Sequence, residues 1–176
     1  MSPVTSTVYV PEGSFGVLDQ GEIPAETADW SNGLVAPMRT GALVGVGIHT
    51  GTVRVSAEAC PGPPPAPGGG TWEEIVEVTV HVPHGLLRVD SLHTGVVDEL
   101  PLLRVQGPGS YRMRVHTRGR ENAYDKVTKV PVEDYLLQTW PDPTPRSITI
   151  IQGSERIKGS LRTAQPLEEN PTPPPP

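Results

Sequence analysis

Four arginines, Arg112, Arg114, Arg118 and Arg120, fall within YRMRVHTRGR (111–120) of a chain whose formal net charge is −6. Guanidinium groups so clustered can grip a phosphate or a carboxylate, because each offers a flat fork of N–H donors on a fixed charge. Three groups of carboxylates lie elsewhere: Glu73, Glu74 and Glu77 in WEEIVE, Asp98 and Glu99 in VVDEL, Glu133 and Asp134 in PVEDY. Such groups can steer and hold a basic protein partner. Five histidines (His49, His81, His84, His93, His116) complete the set. His81-x-x-His84 has a spacing that zinc sites use, but two more ligands are needed, and the lone cysteine, Cys60, lies in a proline-rich run. No metal and no cofactor is expected.

Catalytic patterns are absent from the sequence. It has no Gly-x-Ser-x-Gly elbow, and a lone cysteine with distant histidines is not a dyad. The glycines at 68–70 precede a strand rather than opening a helix, and no Lys-Ser/Thr follows them as in a phosphate loop. In an extended chain Glu74 faces away from Glu73 and Glu77, and Glu133 away from Asp134, so neither group converges on a reacting atom. The expectation is a protein that is not an enzyme.

The elements that carry these residues have the strand period of two. In 52–59 Val53, Val55, Ala57 and Ala59 share one face. In 72–82 Val76, Val78, Val80 and Val82 oppose Glu73, Glu77, Thr79 and His81. In 111–118 Tyr111, Met113, Val115 and Thr117 alternate with Arg112, Arg114, His116 and Arg118, giving a dry face and a basic wet one. Further strands are predicted at 7–10, 15–19, 42–50, 86–92, 100–105, 134–140 and 147–151, with turn signals between them. Eight to ten short strands indicate an all-β, antiparallel β-sandwich in a single domain over 1–152. The Pro/Gly run at 60–70 reads as a mobile loop joining two long strands. Residues 153–176, ending in four prolines, read as a disordered tail.

The composition sets limits. Pro (22) and Gly (19) are abundant and those two segments hold a large share of the excess, while aromatic residues are only 5% of the chain. The negative net charge and the scarcity of aromatics argue against direct nucleic-acid binding. No secretory leader and no run of 18 apolar residues is present, and one cysteine allows no intrachain disulfide, so a cytoplasmic location and no membrane contact are expected. Within a net-acidic chain the arginines have ready cross-strand partners in Glu58, Glu73 and Glu77, which makes them a solvated, neutralised sheet face before they are a site.

The order of segments YVPEGSFGVLD (9–19), ADWSNGLV (28–35), GALVGVGIHTGTVRVSAEA (41–59), WEEIVEVTVHVPHGLLRVDSL (72–92), LPLLRVQGPGSYRMRVHTRG (100–119) and EDYLLQTWP (133–141) resembles competence protein J. That bacterial family inhibits a DNA-entry nuclease. The resemblance covers residues 8–141 and includes GPGSY (107–111). It implies an all-β, non-enzymatic protein with a protein partner, possessing no active site to transfer. On that reading the domain is a nuclease inhibitor or immunity-type protein, contacting its partner through Glu73, Glu74, Glu77, Asp98, Glu99, Glu133 and Asp134. The alternative is a β-sandwich that binds a small anion or nucleic acid on Arg112, Arg114, Arg118 and Arg120. The oligomeric state cannot be read from these residues.

Overall fold

The computed structural model describes residues 2–67 and 70–164. Its strands are β1 (Val4–Val10), β2 (Ser14–Asp19), β3 (Val35–Pro37), β4 (Ala42–Gly45), β5 (Gly51–Ala59), β6 (Glu74–Val82), β7 (Leu87–Asp90), β8 (Gly109–Arg118), β9 (Asp134–Pro141) and β10 (Thr149–Gln152), followed by helix α1 (Glu155–Ala164). They form two sheets, one of six strands in the order β1-β5-β9-β8-β6-β10 and one of four in the order β3-β4-β2-β7. The all-β sandwich expected from the sequence is the observed architecture. One pair departs from the antiparallel rule: β5 and β9 run parallel, Arg54 opposite Asp134 through Ala59 opposite Thr139.

The alternation read in the sequence fixes which side of the larger sheet is dry. Val8, Val10, Val53, Val55, Val76, Val78, Val80, Met113, Val115 and Leu137 are buried between the layers, with Phe15 and Val44 from the smaller sheet. Phe15 meets Tyr135 edge-on, 5.5 Å between ring centres and 85° between planes, an arrangement that sets the positive ring edge against the negative face.

The predicted strand at 42–50 stops at Gly45. Beyond it the N–H groups of Gly47 and Ile48 donate to the Glu133 carboxylate at 2.8 and 2.7 Å, so they leave the ladder. The predicted strand at 100–105 is irregular. Leu103 is nevertheless buried, and its N–H bonds the Leu87 carbonyl.

The segment expected to open a disordered tail instead forms α1. Ser154 caps it, its hydroxyl accepting from the Ile157 N–H at 3.3 Å, and Ile157 and Leu161, one turn apart, pack on the core. That is a short amphipathic helix with a proper start signal. The expected proline-rich tail beyond 164 lies outside the described residues. Among the described residues no helix is long and apolar enough to cross a membrane.

Candidate functional site

The outward face of the larger sheet carries the arginine row, and the strand register determines what each arginine meets. On β6, Glu77 lies opposite Arg114, Thr79 opposite Arg112 and Ile75 opposite His116. On β9 the same three residues face Gln138, Trp140 and Leu136, and Arg118 faces Asp134. The alternation was legible, but this face is not wet. Arg112, Arg114 and His116 are 2%, 6% and 2% exposed, because two segments lie across them.

The first cover is 146–149. Arg112 Nη2 donates to the Ser147 carbonyl at 2.9 Å and to Thr149 Oγ1 at 3.0 Å. Burial pulls the Arg112 guanidinium below its ordinary value, and Glu77 opposes that pull. The second cover is the proline run. Arg114 Nη1 donates to the Pro65 carbonyl at 2.9 Å while its Nε donates to Glu77 Oε2 at 3.0 Å. Arg118 lies over the Trp72 ring at 5.0 Å and donates to Asp134 Oδ2 at 2.9 Å. Pro65 and Pro67 thus rest on the sheet, a contact that the composition of 60–70 does not announce.

Between this cover and the sheet is a cavity of about 250 Å³, lined by Pro65, Pro67, Thr71, Trp72, Arg114, His116, Leu136 and Gln138. His116 is its central polar group. Its Nδ1 lies 3.0 Å from the Leu136 carbonyl oxygen; a carbonyl only accepts, so Nδ1 carries the proton and Nε2 is left as an acceptor. Burial pushes the imidazole below its ordinary value, and the bond to Leu136 only partly offsets this. Trp72 stands 5.5 Å from the imidazole at 52°. Gln138 Nε2 donates to Glu58 Oε1 at 2.7 Å, which leaves its carbonyl oxygen as a second acceptor. The cavity therefore offers two neutral acceptors, the remaining guanidinium donors of Arg114 and a flat aromatic wall.

The acidic candidates have varied placements. Glu73 accepts the Gly119 N–H at 2.8 Å. Glu74, buried, bonds Arg120 Nη1 at 2.8 Å, and Arg120 Nη2 bonds the Gly33 carbonyl at 2.7 Å. Glu77 serves Arg112 and Arg114. Glu133, 1% exposed, accepts from Gly47, from Ile48 and from the Tyr135 hydroxyl at 2.6 Å. Asp134 bridges Arg54 and Arg118. Asp98 and Glu99 are exposed in the loop after β7. Among the described residues no three His, Cys, Asp or Glu side chains gather to hold a metal ion. Trp72, Gln138 and Pro65 were missed by sequence reasoning. Only Gln138 had a signal, its place on the strand face that opposes Arg114.

No family model matches this chain, and no curated protein matches it. Among solved structures it is similar to one named crocagin biosynthetic gene J, at 15% identity and a TM-score of 0.49, covering 80% of this chain and 97% of that one. The resemblance to competence protein J is corrected by these findings: the structural neighbour is a protein named for biosynthesis, not a nuclease inhibitor. The inhibitor function and the competence role fall with it. At this level of similarity the neighbour's name carries nothing over to this chain. The alternative, an open anion or nucleic-acid face on Arg112, Arg114, Arg118 and Arg120, is also corrected. Arg112 and Arg114 are buried and share one carboxylate, Glu77, Arg120 is buried against Glu74 and Arg118 is paired with Asp134, so each of the four already has a carboxylate partner and they form no open cationic face.

Proposed function

We propose that this chain is a non-catalytic binding domain that takes a small neutral amide-bearing group into the cavity beneath Pro65 and Pro67. The observation that carries this reading is His116, neutral and pinned by Leu136 so that Nε2 accepts. An amide N–H donates to His116 Nε2 or to the Gln138 carbonyl, its carbonyl takes a spare N–H of Arg114, and its plane lies against Trp72. An anion is disfavoured because the Glu77 carboxylate on Arg114 and the Glu58 carboxylate on Gln138 both stand beside the cavity, and a cation is disfavoured by the Arg114 guanidinium. At about 250 Å³ the space is below that of drug-sized pockets and suits a fragment: a free primary amide, or an asparagine or glutamine side chain of a protein partner. Thr71 brings a hydroxyl to the cavity but no carboxylate or second histidine to activate it, which supports binding without chemistry. A cytoplasmic location belongs to the same proposal.

The test is titration with benzamide, benzoate and acetyl-glutamine methylamide, observed by NMR at the Trp72 indole and the His116 ring. Benzamide should give saturable shifts that are lost in His116→Phe and Trp72→Ala, and benzoate should give none. Saturation by the glutamine derivative alone would identify a protein side chain as the occupant. Equal binding of benzoate, or no binding of either amide, overturns the reading.

A further inference from the structure

A sheet edge presents unpaired N–H and C=O groups and will accept another strand unless something prevents it. Three of the four edges here are blunted. β10 is four residues long with a register shift between Ile150 and Gln152. β3 is three residues long, ends in Pro37, and receives the Asp29 N–H on the Pro37 carbonyl. β7 is covered by the chain that follows, Val97 N–H bonding the Val89 carbonyl and Leu103 N–H the Leu87 carbonyl. β1 is different. It is seven residues long, pairs on one side with β5 in unbroken register from Val4↔Ala57 to Val10↔Gly51, and residues 2–11 contain no charge.

The groups that β1 offers can be named. In an antiparallel pair alternate residues turn both backbone groups to the partner and the others turn both away. The Tyr9 carbonyl faces away from β5, since it accepts the Ser91 hydroxyl at 2.7 Å. Thr7 and Thr5 therefore also present their N–H and C=O outward. Ser91, with the His93 ring tilted against Tyr9 at 5.5 Å, closes the Tyr9 end, so an added strand has Thr5 and Thr7 to use.

We infer that β1 pairs with β1 of a second copy of this chain, antiparallel about a two-fold axis at Ser6. The segment Val4-Thr5-Ser6-Thr7-Val8 is a palindrome. A two-fold axis at Ser6 sets Thr5 opposite Thr7 of the other copy, twice, with Ser6 opposite Ser6 and Val4 opposite Val8. The two Thr5–Thr7 pairs exchange four backbone hydrogen bonds and make no demand on the Tyr9 carbonyl; the Thr7 carbonyl already accepts the neighbouring Ser6 hydroxyl at a long 3.4 Å and keeps its second lone pair for the added strand. Cross-strand Thr–Thr pairs are favourable and no like charges meet. A two-fold contact of this kind is self-complementary and closes at the dimer, joining two six-stranded sheets into one of twelve.

Sedimentation equilibrium of the full chain should give a mass that rises from one copy toward two with concentration. In Thr5→Pro the outward N–H is lost while the ladder to β5 keeps all its donors, so the dimer should be lost. Thr7→Lys, which leaves the backbone intact, should raise the dimer dissociation constant by roughly tenfold or more. In a Cys60→Ser background, Ser6→Cys should form an intermolecular disulfide on oxidation, because the two positions face each other across the axis. A chain that stays monomeric at all concentrations overturns the inference. So does a dimer that survives in both folded variants, or one in which the position-6 thiols fail to cross-link. A monomer whose β1 amides are protected from exchange only on adding a synthetic VTSTVYV peptide would assign the edge to a foreign strand and overturn the second copy.

Discussion

Two of the segments that lie across this sandwich, 119–133 and the proline run, are fastened by different physics. Residues 119–133 are held by charged groups sunk into the interior: Glu133 takes three hydrogen bonds from Gly47, Ile48 and Tyr135, and Arg120 ties Glu74 to the Gly33 carbonyl. Residues 61–67 and 70–72 are held from below by Arg114 on the Pro65 carbonyl, by Arg118 on the Thr71 carbonyl at 3.4 Å and by Trp72. The first fastening packs tightly where it meets the loop after β4; a Cβ on Gly47 would stand 1.8 Å from the Arg120 carbonyl oxygen. The second leaves the His116 cavity. Close packing around buried, paired charge gives rigidity, even with the Arg120 Nε left without a partner, whereas a cover resting on a few carbonyl acceptors leaves room for a ligand.

The strongest way to break this contrast is at Glu133. Removing a buried carboxylate that satisfies three donors leaves two amide N–H groups and a phenol unpaired. Glu133→Ala is expected to cost about 3–5 kcal/mol of stability, measured by urea unfolding. Burial pushes the Tyr135 phenol well above its ordinary range, and the adjacent Glu133 charge adds to this. The same substitution should therefore bring the tyrosine titration down, a readout that separates Glu133 from generic loss of packing. If Glu133→Ala unfolds no more easily than a surface variant, the rigid side of the comparison is wrong.

Arg114→Met comes next. It keeps an apolar stem but removes the guanidinium that lies over Trp140 (5.4 Å to the ring centre), removes the Pro65 clamp and leaves Glu77 with Arg112 alone. The expected cost is about 2–3 kcal/mol, with faster amide exchange confined to the neighbours of Pro65. A uniform rise in exchange across both segments would show that the two covers are not independent.

Much of this was legible, and the losses have physical causes. The period of two assigned the side chains of 111–118 to their faces, and it offered Glu77 as a partner to the arginine row, because register follows from alternation once two strands are neighbours. Glu74 and Glu133 were read correctly as facing away from Glu77 and Asp134, yet not as interior groups. Their partners, Arg120 and the amides of Gly47 and Ile48, lie 46 and about 86 residues away in sequence, and no local pattern encodes such closure. The covered face was missed for a related reason: Arg114 is stabilised by a proline carbonyl, and every residue has a carbonyl. α1 carried a signal, Ser154 followed by Ile157 and Leu161, that was outweighed by the proline-rich composition downstream.

His116 makes the contrast visible in pH. Its folded value lies below the ordinary imidazole value, so the unfolded chain takes up the proton first. Its contribution is constant above about pH 6.5, and stability falls as the pH drops below that, in proportion to the protons the folded state refuses. His116→Phe should remove this slope while leaving the slope at lower pH, which belongs to carboxylates. Thermal melts between pH 7 and 5 on the two proteins decide it. An unchanged slope would mean that His116 is not the buried neutral group that the cavity requires.

The smallest effect is expected where the same kind of ion pair lies open to water. Asp134 bonds both Arg118 and Arg54, and although burial pushes its carboxyl up, those two guanidinium groups outweigh it and hold the carboxyl below the usual range. Its contribution is present above the unfolded value of about 3.9 and is lost as the pH falls below it. Arg54 and Arg118 are 50% and 43% exposed, so solvent screens most of the attraction, and Asp134→Asn should cost only about 0.2–1 kcal/mol. The loss should shrink further in high salt, as it does for exposed pairs. Glu133→Ala should show no such salt dependence, because its donors are neutral and dry. If Asp134→Asn proves as damaging as Glu133→Ala, charge number rather than burial governs these fastenings, and the arginine face is a stronger structural clamp than its exposure implies.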